Sequence, residues 1–119
     1  MSHSYRDLIV WQKAKALAVE VYRATEGFPR NEIYGLTSHL RRAAVSIPSN
    51  IAEGQGRLTK GEFAHFLGQA RGALLELETQ FAIALDLNLV AESDFKSLDQ
   101  RSSEVCKLLN GLIESMRRK

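Results

Sequence analysis

The sequence predicts an all-α fold, an up-and-down antiparallel four-helix bundle with a kinked second helix. Apolar residues recur at three- and four-residue steps in four segments, and no segment shows the sustained alternation of a half-buried strand. With 119 residues, 45% hydrophobic content and only two prolines, the chain offers no linker, so one domain over residues 1–119 is expected. Short connections between helices that each have one apolar face favour an antiparallel arrangement of neighbouring helices. We place the helices at about 8–26, 32–54, 60–88 and 94–117.

The first predicted helix follows Asp7, whose short carboxylate is a good N-cap. Gly27 and Pro29 end it, because proline cannot continue the hydrogen-bond ladder. Its apolar positions fall on one face and are expected to be buried. They are Trp11, Ala14, Leu17, Ala18, Val21 and Tyr22.

The second predicted helix is capped by Asn31 and is interrupted at Pro48, which has no backbone N–H and collides with the preceding turn. We therefore predict a kink at Pro48, followed by one or two more turns before Gly54. The carbonyl freed by the proline needs a partner. The kink and its polar network are expected to involve Ser46, Pro48, Ser49, Asn50 and Glu53, with Asn50 and Glu53 tying this helix to a neighbour.

Thr59 and Glu62 form a capping box, in which each side chain accepts the backbone N–H of the other residue, and they open the third helix. Its core face runs from Phe63 to Leu85. The fourth helix starts near Ser93 and has a seven-residue repeat typical of near-parallel helix packing. The repeat comprises Phe95, Leu98, Ser102, Val105, Leu109, Leu112 and Met116.

Small residues recur at four-residue steps on the third helix, at Ala64, Gly68 and Gly72. A glycine inside a helix costs about 1 kcal/mol relative to alanine, so some contact is expected to offset that cost. Two interpretations remain open. A neighbouring helix of the same bundle approaches closely at these positions, or the ladder meets another subunit.

Charge is unevenly distributed although the net charge is only +2. The segment from Thr37 to Leu75 has five Lys and Arg against two Glu, whereas Glu76 to Glu104 has two against seven Asp and Glu. Such asymmetry favours an anion-facing surface. The single cysteine, Cys106, cannot form an internal disulfide, and no segment has the apolar run of a signal peptide or membrane span. We expect a cytoplasmic protein that has no membrane partner.

The sequence predicts no catalytic residue, no cofactor and no metal site. Glu62 and His65 match the Glu-x-x-His pair of di-metal bundles once, but no second copy exists and Glu62 is committed to the cap. No glycine-rich loop follows a strand. The helical HEPN ribonucleases need an Arg four to six residues before a His on one helix, and His39 and His65 lack one. The chain is therefore expected not to be an enzyme.

Residues 28–54 read FPRNEIYGLTSHLRRAAVSIPSNIAEG. This segment strongly resembles the signature of the four-helix bundle proteins encoded in intervening sequences of bacterial 23S ribosomal RNA genes. Leu8 to Ala14 before it and Phe66 to Leu77 after it fit the same family, so the resemblance spans nearly the whole chain. Two departures are His39, where Gln is common, and Ala73, where Ser is common.

The resemblance implies a homopentamer without known enzymatic activity. The accessory proteins of diversity-generating retroelements are similar, and those bind nucleic acid and a reverse transcriptase through a basic surface. We expect a homo-oligomer that associates with nucleic acid, RNA more than DNA; the alternative is a protein–protein interaction scaffold or accessory factor. The candidate nucleic-acid-binding residues are Arg41, Arg42, Arg57, Lys60 and Arg71. For Arg41 and Arg42, a salt bridge to Glu53 or Glu32 is the competing interpretation.

Overall fold

The computed structural model describes residues 4–117, and these residues form four long helices without any strand. Each helix packs against the next along the chain and α4 packs against α1, whereas among the described residues the backbones of diagonally opposed helices do not approach within 8 Å, measured between Cα atoms. The result is an elongated up-and-down bundle about 47 Å long, which confirms the predicted fold class. The helices are α1 Ile9–Thr25, α2 Leu36–Gln55, α3 Lys60–Asp86 and α4 Glu92–Arg117.

A short 3₁₀ turn over Tyr5–Asp7 precedes α1. Its N-cap is Ser4, whose hydroxyl accepts the N–H of Arg6. The N-cap position of α1 is Leu8, which offers no side-chain cap. The predicted capping role of Asp7 is therefore wrong, because Asp7 is the last residue of the preceding turn.

A second 3₁₀ turn, Arg30–Glu32, lies before α2, which begins at Leu36 rather than near residue 32. Asn31 lies inside this turn and does not cap the helix. Instead, the carboxylate of Glu32 accepts the N–H of Leu36 at 3.2 Å. A negative side chain at this place also suits the positive end of the helix dipole. The predicted Asn31 cap is therefore wrong.

Pro48 lies inside α2, and the helix continues beyond it to Gln55, as the sequence predicted. The side-chain amide of Asn50 donates to the carbonyl and hydroxyl oxygens of Ser46, at 2.8 and 2.9 Å. Glu53 pairs with Arg57 one turn later. The hydrogen bonds of Asn50 and the ion pair of Glu53 are thus local, and the expectation that these residues tie α2 to a neighbouring helix stays a prediction. Ser49 is exposed. The bend at Pro48 stays a prediction.

Thr59 caps α3, since its hydroxyl oxygen accepts the N–H of Glu62 at 3.1 Å. The reciprocal contact differs from the prediction: the Glu62 carboxylate accepts the Thr59 hydroxyl at 3.2 Å rather than the backbone N–H. The helix ends at Asp86, and Asn88 adopts a left-handed conformation with φ of 59°. Asparagine tolerates this conformation better than most residues, which lets the chain turn back into α4.

The predicted apolar stripes meet in the core, where most of their members are buried. Tyr22 is an exception, because it is 43% exposed and its ring is covered by the guanidinium of Arg41. The buried position one turn later belongs to Thr25. Near the turn between α2 and α3, Gly54 lies so close to Phe63 and Phe66 that a Cβ on residue 54 would be 2.7 Å from the Cβ of Phe66.

Candidate nucleic-acid interface and subunit contact face

The antiparallel fold separates charge along the long axis of the bundle. Dividing each helix at its midpoint places residues 4–17, 46–73 and 105–117 in one half, which we call the basic end. Among the described residues, this half has eight Lys and Arg against four Asp and Glu, a net of +4. The other half, the acidic end, has six against ten, a net of −4. A molecule of nearly neutral total charge therefore presents one positive end.

Arg41, a candidate for nucleic-acid contact, is engaged inside the bundle. Its Nε donates to the hydroxyl oxygen of buried Thr25 at 2.8 Å, and a terminal nitrogen donates to the carbonyl of Tyr22 at 3.4 Å. Its guanidinium also lies 4.6 Å from the centroid of the Tyr22 ring. Arg41 thus joins α2 to α1, and the salt bridge to Glu53 or Glu32 considered from the sequence is not formed.

The positive charge of Arg57 is also largely neutralised by neighbouring carboxylates. It pairs with Glu53 at 2.9 Å and lies 4.0 Å from Glu62, and its guanidinium is 4.7 Å from the centroid of the Phe66 ring. Two carboxylates around one guanidinium lower the local positive potential. The side chain remains half exposed, so its main contribution is to order the α2–α3 turn.

The other three candidates, Arg42, Lys60 and Arg71, are exposed and form no ion pair with another described residue. Lys60 and Arg71 lie on the same side of α3, because eleven residues are close to three helical turns, and are separated by about 16 Å. Arg42 lies across α3 from them, in an open groove between α2 and α3 that also contains Glu76. The five candidates therefore do not form one cluster.

The ladder of small residues on α3 faces outward. A Cβ built at Gly68 or Gly72 would meet nothing within 4 Å, so the interpretation that a helix of the same bundle approaches there is wrong. Ala64 is half-buried beside them. Gly68 and Gly72 belong to an exposed, uncharged stripe, which we call the outer stripe of α3. It comprises Gly61, His65, Gly68, Gly72, Leu75, Thr79 and Ala82.

The apolar side chains on and beside the outer stripe are exposed. Leu75, which belongs to the stripe, and Ile83, which follows its last member, are 48% and 45% exposed. A helix at the surface of a soluble bundle normally has a charged outer face. α3 instead has an apolar core face and an uncharged outer face, which is the pattern of a helix covered on both sides.

A cluster of cations and aromatic rings at the basic end was missed by sequence reasoning. The guanidinium of Arg6 lies 4.9 Å from the centroid of the Tyr5 ring, and the ammonium of Lys15 lies 5.1 Å from that of Trp11. The two rings meet edge to face with centroids 5.1 Å apart. The contact of Lys15 with Trp11 could have been predicted from their four-residue spacing on a helix. The contact of Tyr5 with Trp11 could not, because it depends on the 3₁₀ turn.

The described residues contain no group of three or more His, Cys, Asp and Glu side chains that could hold a metal ion. Glu62 belongs to the Thr59 cap, and His65 shares a hydrogen bond of 3.2 Å with Gln69. Cys106 is half-buried on α4. Within the described range, no helix is both long and apolar enough to span a membrane.

Comparison with known proteins places the chain in a family. A family model of the 23S rRNA-intervening sequence proteins matches residues 6–111, which is most of the sequence. The chain belongs to this family. The match includes the segment 28–54 on which the resemblance was first noted, and it also includes Arg6, Trp11 and Lys15. No functionally curated protein matches this intervening-sequence protein.

A solved structure similar to this intervening-sequence protein is a protein of unknown function from the S23 ribosomal protein family of Bacteroides thetaiotaomicron. The TM-score is 0.81 at 21% sequence identity, and the alignment covers 89% of this chain and 99% of that one. At this identity the similarity shows the fold alone. The neighbour therefore supports the four-helix architecture.

Proposed function

We propose that this protein is a non-enzymatic, cytoplasmic homo-oligomer that binds nucleic acid, RNA in preference to DNA, through its basic end. The observation that carries the proposal is the separation of charge along the bundle, with a net of +4 at one end and −4 at the other. Cations gathered on one end attract a polyanion although the whole chain is nearly neutral. The name of the family, taken from 23S ribosomal RNA, favours RNA.

Lys60 and Arg71 are the best phosphate contacts among the candidates. Both are exposed, neither is paired with a described carboxylate, and both lie at the basic end. An unpaired cation binds phosphate without first breaking a salt bridge, and each contact releases condensed counterions from the nucleic acid. Arg41 and Arg57 are less suited, because intramolecular partners already hold their guanidinium groups.

Assembly is proposed to occur through the outer stripe of α3. Glycines at Gly68 and Gly72 permit a helix of a second copy to approach closely, and Leu75 supplies apolar area to bury. Such a contact would offset the roughly 1 kcal/mol that each glycine costs in a helix interior. The family resemblance favours a pentamer. Repetition of the basic end around a closed ring would multiply the positive charge presented to one nucleic acid strand.

A protein–protein scaffold is the second candidate, and exposed apolar residues at the acidic end favour it. Tyr34 is 95% exposed, and Ile33 and Leu87 are 53% and 57% exposed. These side chains lie in the α1–α2 and α3–α4 connections, at the end away from the proposed nucleic-acid contact. They would suit a partner polypeptide that carries positive charge and apolar residues.

Fluorescence anisotropy of labelled RNA and DNA strands, at about 50 and 200 mM salt, tests nucleic-acid binding. We expect affinity that falls steeply with salt, and a Lys60→Gln/Arg71→Gln double variant whose salt slope is smaller by about 1.4 for a single strand. Arg101→Gln is the matched control, because Arg101 is an exposed cation of the acidic end. Equal affinity of the double variant and the wild type would contradict this interface. No binding at about 50 mM salt would favour the scaffold.

Light scattering after size-exclusion chromatography tests the assembly. We expect Gly68→Leu to reduce the mass in solution while the circular dichroism spectrum stays helical, since a Cβ at Gly68 meets nothing within 4 Å in its own bundle. Gly111→Leu is the control, because Gly111 is also exposed in a helix interior and open within 4 Å, but lies on α4. A wild-type mass for Gly68→Leu would place the subunit contact elsewhere.

A further inference from the structure

We propose that Tyr5, Arg6, Trp11 and Lys15 form a contact site for single-stranded nucleic acid, in which bases stack on the Tyr5–Arg6 pair and phosphates meet Arg6 and Lys15. This inference rests on the proposed function and adds a second set of contacts to it. The four residues lie at the basic end, in the 3₁₀ turn and the first turns of α1.

The pairing of Arg6 with Tyr5 places a planar cation against an aromatic ring. A guanidinium 4.9 Å from a ring centroid is attracted to the ring face, and its N–H donors lie in its own plane. Both the ring and the guanidinium plane are surfaces on which bases stack in complexes with single strands. Arg6 is exposed and forms no ion pair with another described residue, so its donors are available to phosphate.

The second cation is positioned in the same way. Lys15 lies over the Trp11 ring, and Trp11 in turn meets Tyr5 edge to face at an interplanar angle of 69°. Lys15 is exposed and, like Arg6, has no carboxylate partner in the described part of the chain. Cation, ring, ring and cation therefore follow one another, so that the two aromatic rings lie between two groups that can bind phosphate.

Local hydrogen bonds fix the segment in place. The side-chain amide of Gln12 donates to the carbonyl of Arg6 at 2.8 Å, and the Ser4 hydroxyl accepts the N–H of Arg6 at 3.1 Å. A preorganised segment loses little conformational entropy when a ligand binds. The same arrangement disfavours a duplex ligand, because the bases of a duplex are stacked within the helix and cannot reach the rings.

Trp11 is the single tryptophan of the chain, so its emission reports on this site alone. We expect a single strand of about twelve nucleotides, a length within the usual site size, to quench the emission of Trp11 as it binds. An abasic strand of the same length is the matched ligand, because it has the same phosphates and no bases. It should bind more weakly and quench less.

Variants separate stacking from charge in anisotropy titrations. Tyr5→Leu should weaken binding by roughly 5- to 150-fold with little change in salt slope, whereas Tyr5→Phe should bind as the wild type does. Lys15→Gln should lower the salt slope by about 0.7, which corresponds to one phosphate contact. Arg6→Lys should keep the slope and lose affinity, because the charge remains and the planar group is gone. Thermal unfolding of each variant shows whether the segment still folds.

The outcomes distinguish this site from the proposed function. If labelled RNA binds while Trp11 emission is unchanged and Tyr5→Leu retains wild-type affinity, this site is refuted and nucleic-acid binding stands. If the wild type binds no nucleic acid at about 50 mM salt, both proposals fail. Equal quenching by the abasic strand would also overturn the stacking role.

Discussion

Gly54→Ala offers a sharp test of the packing between α2 and α3. A Cβ at this position would lie 2.7 Å from the Cβ of Phe66, 3.0 Å from a ring carbon of Phe63 and 3.2 Å from the Phe63 carbonyl oxygen. A Cβ and a carbonyl oxygen cannot move away by a change of rotamer, so the two helices must separate locally. Overpacking of this kind costs about 1–3 kcal/mol.

Alanine also gains up to about 1 kcal/mol over glycine in helix propensity, and the gain is smaller near a helix end. We therefore expect Gly54→Ala to lower the free energy of unfolding by about 1–2 kcal/mol. Gly111→Ala is the matched control, because a Cβ at Gly111 meets nothing within 4 Å and Gly111 lies inside α4, more than one turn before its end at Arg117. It should raise the stability by about 0.5–1 kcal/mol.

Urea unfolding followed by circular dichroism, at one fixed protein concentration, measures both variants. The free energies of unfolding of the two variants should differ by about 1.5–3 kcal/mol, with the Gly54 variant less stable. A Gly54→Ala protein as stable as Gly111→Ala would show that the close approach of α2 and α3 at Gly54 does not exist.

Three further predictions concern buried and partly buried polar groups. Thr37→Val should stabilise the protein by about 1 kcal/mol, because the Thr37 hydroxyl is buried without a partner, whereas Thr25→Val should destabilise it by about 1–2 kcal/mol. Equal effects in urea unfolding would refute this assignment of partners. Ser102→Ala should lower the free energy of unfolding by about 1–2 kcal/mol, since it removes the hydrogen bond from buried Ser102 to Glu78. An unchanged midpoint of urea unfolding would contradict this prediction. Arg41→Met should lower the free energy of unfolding by about 1–3 kcal/mol, because it removes the hydrogen bond to Thr25, and it should leave RNA affinity near the wild-type value. A large loss of RNA affinity in the folded variant would assign Arg41 to the nucleic-acid interface.

The helices and their buried stripes were predictable because a 3.6-residue period records which face is buried. The Thr59 cap was predictable for a similar reason, since capping depends on residues three positions apart. Asp7 and Asn31 show where such reasoning fails. Each has good capping chemistry, but each lies within a 3₁₀ turn that the sequence did not reveal.

The candidate site was less predictable, because the availability of a cation depends on its neighbours in space. Arg41 and Arg42 are adjacent in sequence, yet Arg41 is held by Thr25, sixteen residues away, whereas Arg42 is exposed. No spacing rule relates Arg41 to Thr25. The contact of Tyr5 with Trp11 was missed in the same way, because the 3₁₀ turn brings the two rings together.

The sequence by itself determined that the chain forms four amphipathic helices in an antiparallel bundle, and residues 28–54 were sufficient to indicate the family. These properties depend on local periodicity and on contiguous residues. Tertiary structure decided which faces remain uncovered. Gly68 and Gly72 lie on the side of α3 that faces away from the bundle. The antiparallel fold also brings cations from three separate segments to one end. Exposure and electrostatic potential are sums over residues close in space, which a linear pattern does not contain.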